Sequence, residues 1–186
     1  MTDGPYSVAV LIGSLRRDSL NRKMARALEG LAPSSLRLTD VPIGGLPLYN
    51  QDLEPETPAP WVEFRDRIRA ADAILFVSPE YNRSIPGALK NAIDVGSRPS
   101  GQSAFKGKPA AVITVSPGAI GGFGANHHIR QALVFLDMPT LQQPEAYVGG
   151  AAGHFDEHGN LAKEDTKVFL RKFLDAFESW IARLKR

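Results

Sequence analysis

Hydrophobic positions in this chain fall into short unbroken runs separated by stretches of helical spacing. Val8-Ala9-Val10-Leu11-Ile12 is apolar throughout and stops at Gly13-Ser14. A continuous run of this length predicts a strand buried on both faces. Met24, Leu28 and Leu31 follow at helical spacing, and Leu36 to Thr39 predicts a short second strand. Trp61, Phe64 and Ile68 mark a second helix, and Ala73 to Val77 is again fully apolar. Leu89 and Ile93 predict a third helix, with Ser84 as its N-cap and Pro86 in its first turn. Ala110 to Val115 is a fourth strand, Ile129, Leu133 and Leu136 mark a fourth helix, and a short fifth strand is expected after Pro139. Leu170, Phe173, Leu174, Phe177, Ile181 and Leu184 form the i, i+3, i+4, i+7 stripe of a last amphipathic helix.

Strands joined by helices predict an α/β fold, with a parallel sheet covered by helices on both faces. No internal repeat or low-complexity tract interrupts the alternation. The proline-rich stretch from Pro42 to Pro60 reads as an ordered loop over the sheet edge, with a linker as the alternative. Parallel sheets bind ligands beyond the carboxyl ends of their strands, where the strand order reverses. In a 2-1-3-4-5 order that point lies between strands one and three. The loops after those strands are therefore the first places to look for chemistry.

Composition narrows the picture by exclusion. The 186 residues suit one ordinary domain, 1–186, better than two. Hydrophobic residues at 43% and charged residues at 23% describe a folded chain. There is no cysteine, so disulfides, thiolate nucleophiles, cysteine zinc sites and cysteine-ligated clusters are ruled out. The pI near 9.0 rests on a net charge of only +2, with no basic run, and gives nucleic acid little support. The start, Met1-Thr2-Asp3-Gly4-Pro5, lacks a basic region followed by an apolar one, and no apolar run is long enough to span a bilayer. A cytoplasmic protein without membrane contact is the expectation.

The first loop, Gly13-Ser14-Leu15-Arg16-Arg17-Asp18-Ser19-Leu20-Asn21, opens a helix. Helix N-termini attract phosphate; here Ser14, Ser19 and Asn21 add short donors, and Arg16 adds a charged fork. Only Gly13 is present, so the G-x-G-x-x-G fingerprint is excluded, and Gly107-Lys108 is followed by Pro109, so Walker A is too. A cradle of hydroxyls favours a terminal phosphate monoester over a pyrophosphate. Equally, Ser14 or Ser19 can be a plain helix cap and the arginines a solvated surface. The third loop, Ser78 to Asn91, carries Tyr81 between Pro79 and Pro86, a stiffened aromatic suited to a planar heteroaromatic ligand. The fourth, Ser116 to Gly124, is rich in glycine, which lets backbone amides approach a ligand. An ordinary turn and a flexible connection are the competing readings. Asn82-Arg83-Ser84 also matches a glycosylation acceptor, set aside for want of a secretory signal.

Taken together, Gly13-Ser14-Leu15-Arg16 with Ser19 and Asn21, Pro79-Glu80-Tyr81-Asn82 through Gly87 and Lys90 to Asp94, and Gly121-Gly122 resemble the NADPH-dependent FMN reductase family, which includes quinone and chromate reductases. The likeness runs from Val8 to about Gly150. It implies a flavodoxin-like three-layer sandwich with a five-stranded sheet of order 2-1-3-4-5, and non-covalent FMN. By position, Ser14, Arg16, Ser19, Leu20 and Asn21 would hold the phosphate. Pro79, Glu80, Tyr81, Asn82 and Arg83 would line the ring, and Ser116, Gly118, Gly121 and Gly122 would close the other side. No catalytic side chain is required, since the flavin carries the chemistry; Tyr81 comes nearest to one. NADPH or NADH would deliver a hydride to the flavin, and a quinone, flavin, chromate or azo acceptor would follow at the same face, a ping-pong order. The family also implies a homodimer or homotetramer. Leu46 to Asp52 resembles its boundary loop, and Arg130 and Glu145 resemble its contact positions, with plain surface charges as the alternative.

Elsewhere, adjacent His127 and His128 point about 100° apart on a helix and do not share a metal easily. His154 and His158 sit among glycines, and no metal site is expected. The Phe169, Phe173 and Phe177 stripe reads as core, Trp180 as partly exposed, and Lys163 to Lys172 as a solvated helix face. The competing functions are a flavodoxin-like electron carrier, to which a net charge of +2 is ill suited, and a non-catalytic flavin-binding redox regulator.

Overall fold

A computed structural model describes residues 4–185; the Met1 to Asp3 part of the leader reading lies outside them. Five strands, β1 (Tyr6–Ile12), β2 (Leu36–Asp40), β3 (Ala73–Ser78), β4 (Ala110–Val115) and β5 (Ala146–Val148), form one sheet of order β2-β1-β3-β4-β5. Every pairing is parallel, with Ile12 opposite Val77, Val77 opposite Ile113, and Val115 opposite Val148. The helices are α1 (Leu20–Leu31), α2 (Ala59–Ala70), α3 (Gly87–Gly96), α4 (Phe123–Phe135) and α5 (Glu164–Leu184). This is the flavodoxin-like doubly wound order.

Side chains alternate along each strand, so the sheet divides the core in two. Val8, Val10 and Ile12 meet Met24 and Leu28 of α1 and Leu170, Phe173 and Phe177 of α5. Ala9 and Leu11 face the other way, toward Trp61 and Phe64 of α2, Leu89 of α3 and Ile129 of α4. The continuous apolar runs are thus buried on both faces, as their composition predicts. Trp180 is half-buried, its indole N–H donating to the Pro139 carbonyl at 2.9 Å.

The segment from Pro42 to Pro58 is an ordered loop with a short 3₁₀ turn at Gln51–Leu53, and Ala59 and Pro60 already open α2. Tyr49 N donates to Asn91 Oδ1 at 2.8 Å, Trp61 Nε1 to the Pro47 carbonyl at 2.9 Å, and Asn91 Nδ2 to the same carbonyl at 3.1 Å. One expectation needs correction. Ser84 does not cap α3: Pro86 is the N-cap residue, and no side chain bonds the first turn. The residue before a proline is steered away from helical geometry, which keeps Ile85 extended and delays the helix to Gly87. The short fifth strand expected after Pro139 is present as β5, beginning at Ala146. Thr140 makes one isolated parallel bridge to Ala110, and Pro144, with no N–H, separates it from β5.

Candidate active site

The carboxyl ends of β1, β3 and β4 deliver the first, third and fourth loops to one edge of the sheet. Gly13 N donates to the Val77 carbonyl at 2.9 Å, which carries the β1–β3 pairing into the first loop. Asn21 is buried at the start of α1, and its Nδ2 donates at 3.3 Å to the carbonyl of Val115, the last residue of β4. One side chain therefore ties the first loop to the fourth.

In the first loop, Ser14 and Ser19 are buried, Leu20 is half-buried, and Arg16 and Arg17 are exposed. Ser19 is the N-cap of α1: its Oγ accepts from the Asn21 and Arg22 amides at 3.2 and 3.4 Å. The capping reading is therefore correct, and the hydroxyl proton remains to be donated. The one acid of the loop, Asp18, is neutralised by Lys23 at 2.7 Å, whose ammonium holds the carboxyl below its ordinary value. The loop thus keeps a positive balance at a helix N-terminus, the arrangement a phosphate seeks. Among the described residues no acceptor takes the amides of Leu15, Arg16 or Arg17.

In the third loop, Tyr81 and Ser84 exchange backbone hydrogen bonds at 3.1 and 2.9 Å around Asn82 and Arg83. Both central residues have positive φ, 50° and 63°, which defines a two-residue type I′ turn. Arg83 tolerates that conformation poorly, and such strain gathers where a loop must present a group. The turn leaves Tyr81 48% exposed at its base. Pro79 and Glu80 are half-buried; the Glu80 carboxylate turns toward α4 and accepts from the Ala125 amide at 3.0 Å.

In the fourth loop, Ser116 is half-buried and Gly118 exposed, whereas Gly121 and Gly122 are buried with φ of 68° and 79°. A Cβ on Gly121 would lie 2.8 Å from the Tyr147 carbonyl carbon, and one on Gly122 2.9 Å from Thr114 Cβ. These glycines let the loop pack on β4 and β5.

Sequence reasoning missed the cluster beside this loop. Phe123, His127 and Tyr147 pack with ring centroids 4.2 to 6.1 Å apart, and the Tyr147 hydroxyl lies 3.1 Å from His127 Nε2. Burial, with the neighbouring Glu145 carboxylate, pushes the Tyr147 phenol up to about 12. No local signal links Tyr147 to α4, since the contact exists only because β5 lies beside the start of that helix. Arg130 is half-buried and knits α4 to the chain entering β5, donating to Asn126 Oδ1 at 2.8 Å and to the Leu141 carbonyl at 2.9 Å. Among the described residues no group of three or more His, Asp or Glu side chains could hold a metal.

The residues present fit a flavin mononucleotide. The first loop offers unpaired amides, hydroxyls and a guanidinium. Asn21 Oδ1 is buried with no donor, an acceptor for a ligand hydroxyl such as those of a ribityl chain. The third loop offers an exposed aromatic.

Comparison with known proteins agrees with the geometry. The model of the NADPH-dependent FMN reductase family matches residues 6–153. A quinone reductase of Pseudomonas putida is 66% identical over 177 residues, covering 95% of each chain. A 2-hydroxy-1,4-benzoquinone reductase of a Burkholderia species is 47% identical over 174 residues, covering 94% of this chain and 95% of its own. The solved flavoenzyme FerB, an NAD(P)H:(acceptor) oxidoreductase from Paracoccus denitrificans, superposes with a TM-score of 0.90 at 44% identity, covering 96% of this chain and 98% of its own.

Proposed function

The chain belongs to the NADPH-dependent FMN reductase family, and on that premise we propose which of its residues hold the cofactor and how its substrates take turns. It is an FMN-dependent NAD(P)H oxidoreductase of the quinone reductase type. The observation that carries the reading is the meeting of three loops at the switch point, each suited to a different part of one flavin nucleotide.

We assign Ser14, Arg16, Ser19, Leu20 and Asn21 to the phosphate and the start of the ribityl chain. Arg16 supplies a charge-assisted fork and Ser19 a hydroxyl proton. Pro79, Glu80, Tyr81, Asn82 and Arg83 line the ring on one side, chiefly through the backbone and the Tyr81 ring. Ser116, Gly118, Gly121 and Gly122 border it on the other. When bound, FMN supplies two-electron hydride chemistry. The chain's own part is to orient the ring and to leave one face open. We read residues 1–186 as one FMN-binding domain, and we propose that nicotinamide and acceptor occupy one crevice in turn, which is a ping-pong order. Quinones are the first acceptors to test, then free flavins, azo compounds and chromate. We place the enzyme in the cytoplasm, as a homodimer or homotetramer with neither nucleic acid nor membrane as a partner. Among the described residues no helix is long and apolar enough to cross a membrane.

The test is anaerobic mixing of FMN-loaded protein with NADPH, then with a benzoquinone. The yellow flavin band should bleach and then return. Flavin that stays yellow with NADPH and with NADH overturns the reductase reading in favour of an electron carrier. Protein that binds no FMN overturns both.

A further inference from the structure

The fourth helix begins without a cap of its own. Its N-cap residue is Gly122, which has no side chain, and no side chain of its own segment bonds the first turn. A helix N-terminus in this state leaves amides that need an acceptor. Glu80 supplies one from a different loop: its Oε2 accepts from the Ala125 amide at 3.0 Å, the position three residues beyond the cap. The other oxygen, Oε1, accepts from Arg83 Nη1 at 3.1 Å, across the type I′ turn. The Glu80 side chain is only 11% exposed, whereas that of Arg83 is 71% exposed. The carboxylate therefore sits inside the junction, bonded to the third loop through Oε1 and to the fourth through Oε2.

The junction is tight from the opposite side as well. A Cβ on Gly124 would lie 2.7 Å from the Arg83 carbonyl oxygen and 3.0 Å from Glu80 Oε2. The two loops touch there, so any residue larger than glycine wedges them apart. The first turn of α4 has no acid of its own, and Glu80 meets its positive end, which favours a carboxylate over a neutral group.

We propose that Glu80 is a positioning residue: its side chain does not bind the flavin but clamps the third loop to the start of α4, and so fixes the width of the slot between the third and fourth loops. The inference rests on the assignment of the isoalloxazine ring to that slot. It makes a claim of its own, that the Glu80 carboxylate acts on the ring and not on the phosphate. The ring is common to FMN and riboflavin, so loss of the clamp weakens both equally.

The experiment measures dissociation constants of FMN and riboflavin by quenching of flavin fluorescence, together with visible-region circular dichroism of the bound flavin. Glu80→Ala should weaken FMN and riboflavin by the same factor, about tenfold, the scale of a lost helix cap. It should also change the visible dichroism. Glu80→Gln, which keeps an acceptor for the Ala125 amide, should recover most of the affinity. Gly124→Ala, which keeps the carboxylate but opens the junction, should reproduce the Glu80→Ala signature; it remains informative if Glu80→Ala does not fold. Wild-type affinity and dichroism in Glu80→Ala or Gly124→Ala would overturn the clamp, as would a loss confined to FMN. Wild-type protein that binds neither flavin would overturn the functional reading itself.

Discussion

At the amino-terminal edge of the sheet, the Asp72 carboxylate accepts from the Ser7 amide at 2.8 Å and the Ser7 hydroxyl at 3.1 Å, and Lys185 reaches it from the end of α5. Beside it, Lys108 donates to the carbonyls of Ala71 and Arg69 at 2.6 and 3.0 Å, closing the end of α2. At the carboxyl-terminal edge of the same strands, amides of the first loop have no acceptor and Asn21 Oδ1 no donor among the described residues, and Tyr81 and Arg83 stand exposed on a turn with positive φ. One edge satisfies its polar groups internally; the other holds them ready for a partner. Parallel topology makes the contrast possible, because it gathers strand ends and helix N-termini at one edge and helix C-termini at the other.

The fourth loop crosses this division, since it lies on the open edge yet its Gly121-Gly122 turn is packed like core. Gly121→Val should therefore give the largest effect. The buried left-handed position and the 2.8 Å approach to Tyr147 carbon leave no room, and we expect a loss of at least ~2 kcal/mol in denaturant unfolding together with loss of flavin. Arg16→Ala comes next and separates binding from stability. FMN affinity should fall roughly 10- to 100-fold, riboflavin affinity should hold, and the melting temperature of the flavin-free protein should not move. An equal loss of FMN and riboflavin would remove Arg16 from the phosphate site. The smallest effect belongs to the closed edge. Asp72→Asn should cost about 1 kcal/mol at neutral pH with no change in flavin affinity. Partial burial works to raise the Asp72 carboxyl, but the hydrogen bonds from Lys185 and Ser7 together outweigh it and hold the group below 3.8. Its contribution is present in full above that ordinary value and is lost as the pH falls through the lowered folded-state value. Urea unfolding of the two proteins should therefore converge at acid pH; a difference that persists there would mean that the Asp72 charge is not the cause.

Strand runs were readable because burial on both faces leaves no polar position between Val8 and Ile12 or between Ala73 and Val77. The donor chemistry of the first loop was readable because Ser14, Arg16, Ser19 and Asn21 lie close together in sequence at one helix start. Contacts between distant segments were not. Nothing local to Glu80 shows that its carboxylate caps a helix that begins at Phe123. Ser84 is a different case: Pro86, two residues on, is the local signal that keeps Ile85 out of the helix, and the capping expectation gave it too little weight.

The sequence by itself determined the alternation of elements, the two-sided burial of the sheet and the chemistry of each loop, because those follow from periodicity and residue type along the chain. The tertiary structure alone decided which loops touch. It set Asn21 against the end of β4, Glu80 against Ala125, and Gly121 against Tyr147. Such pairs depend on which strands lie side by side, and the chain carries no local signal for that.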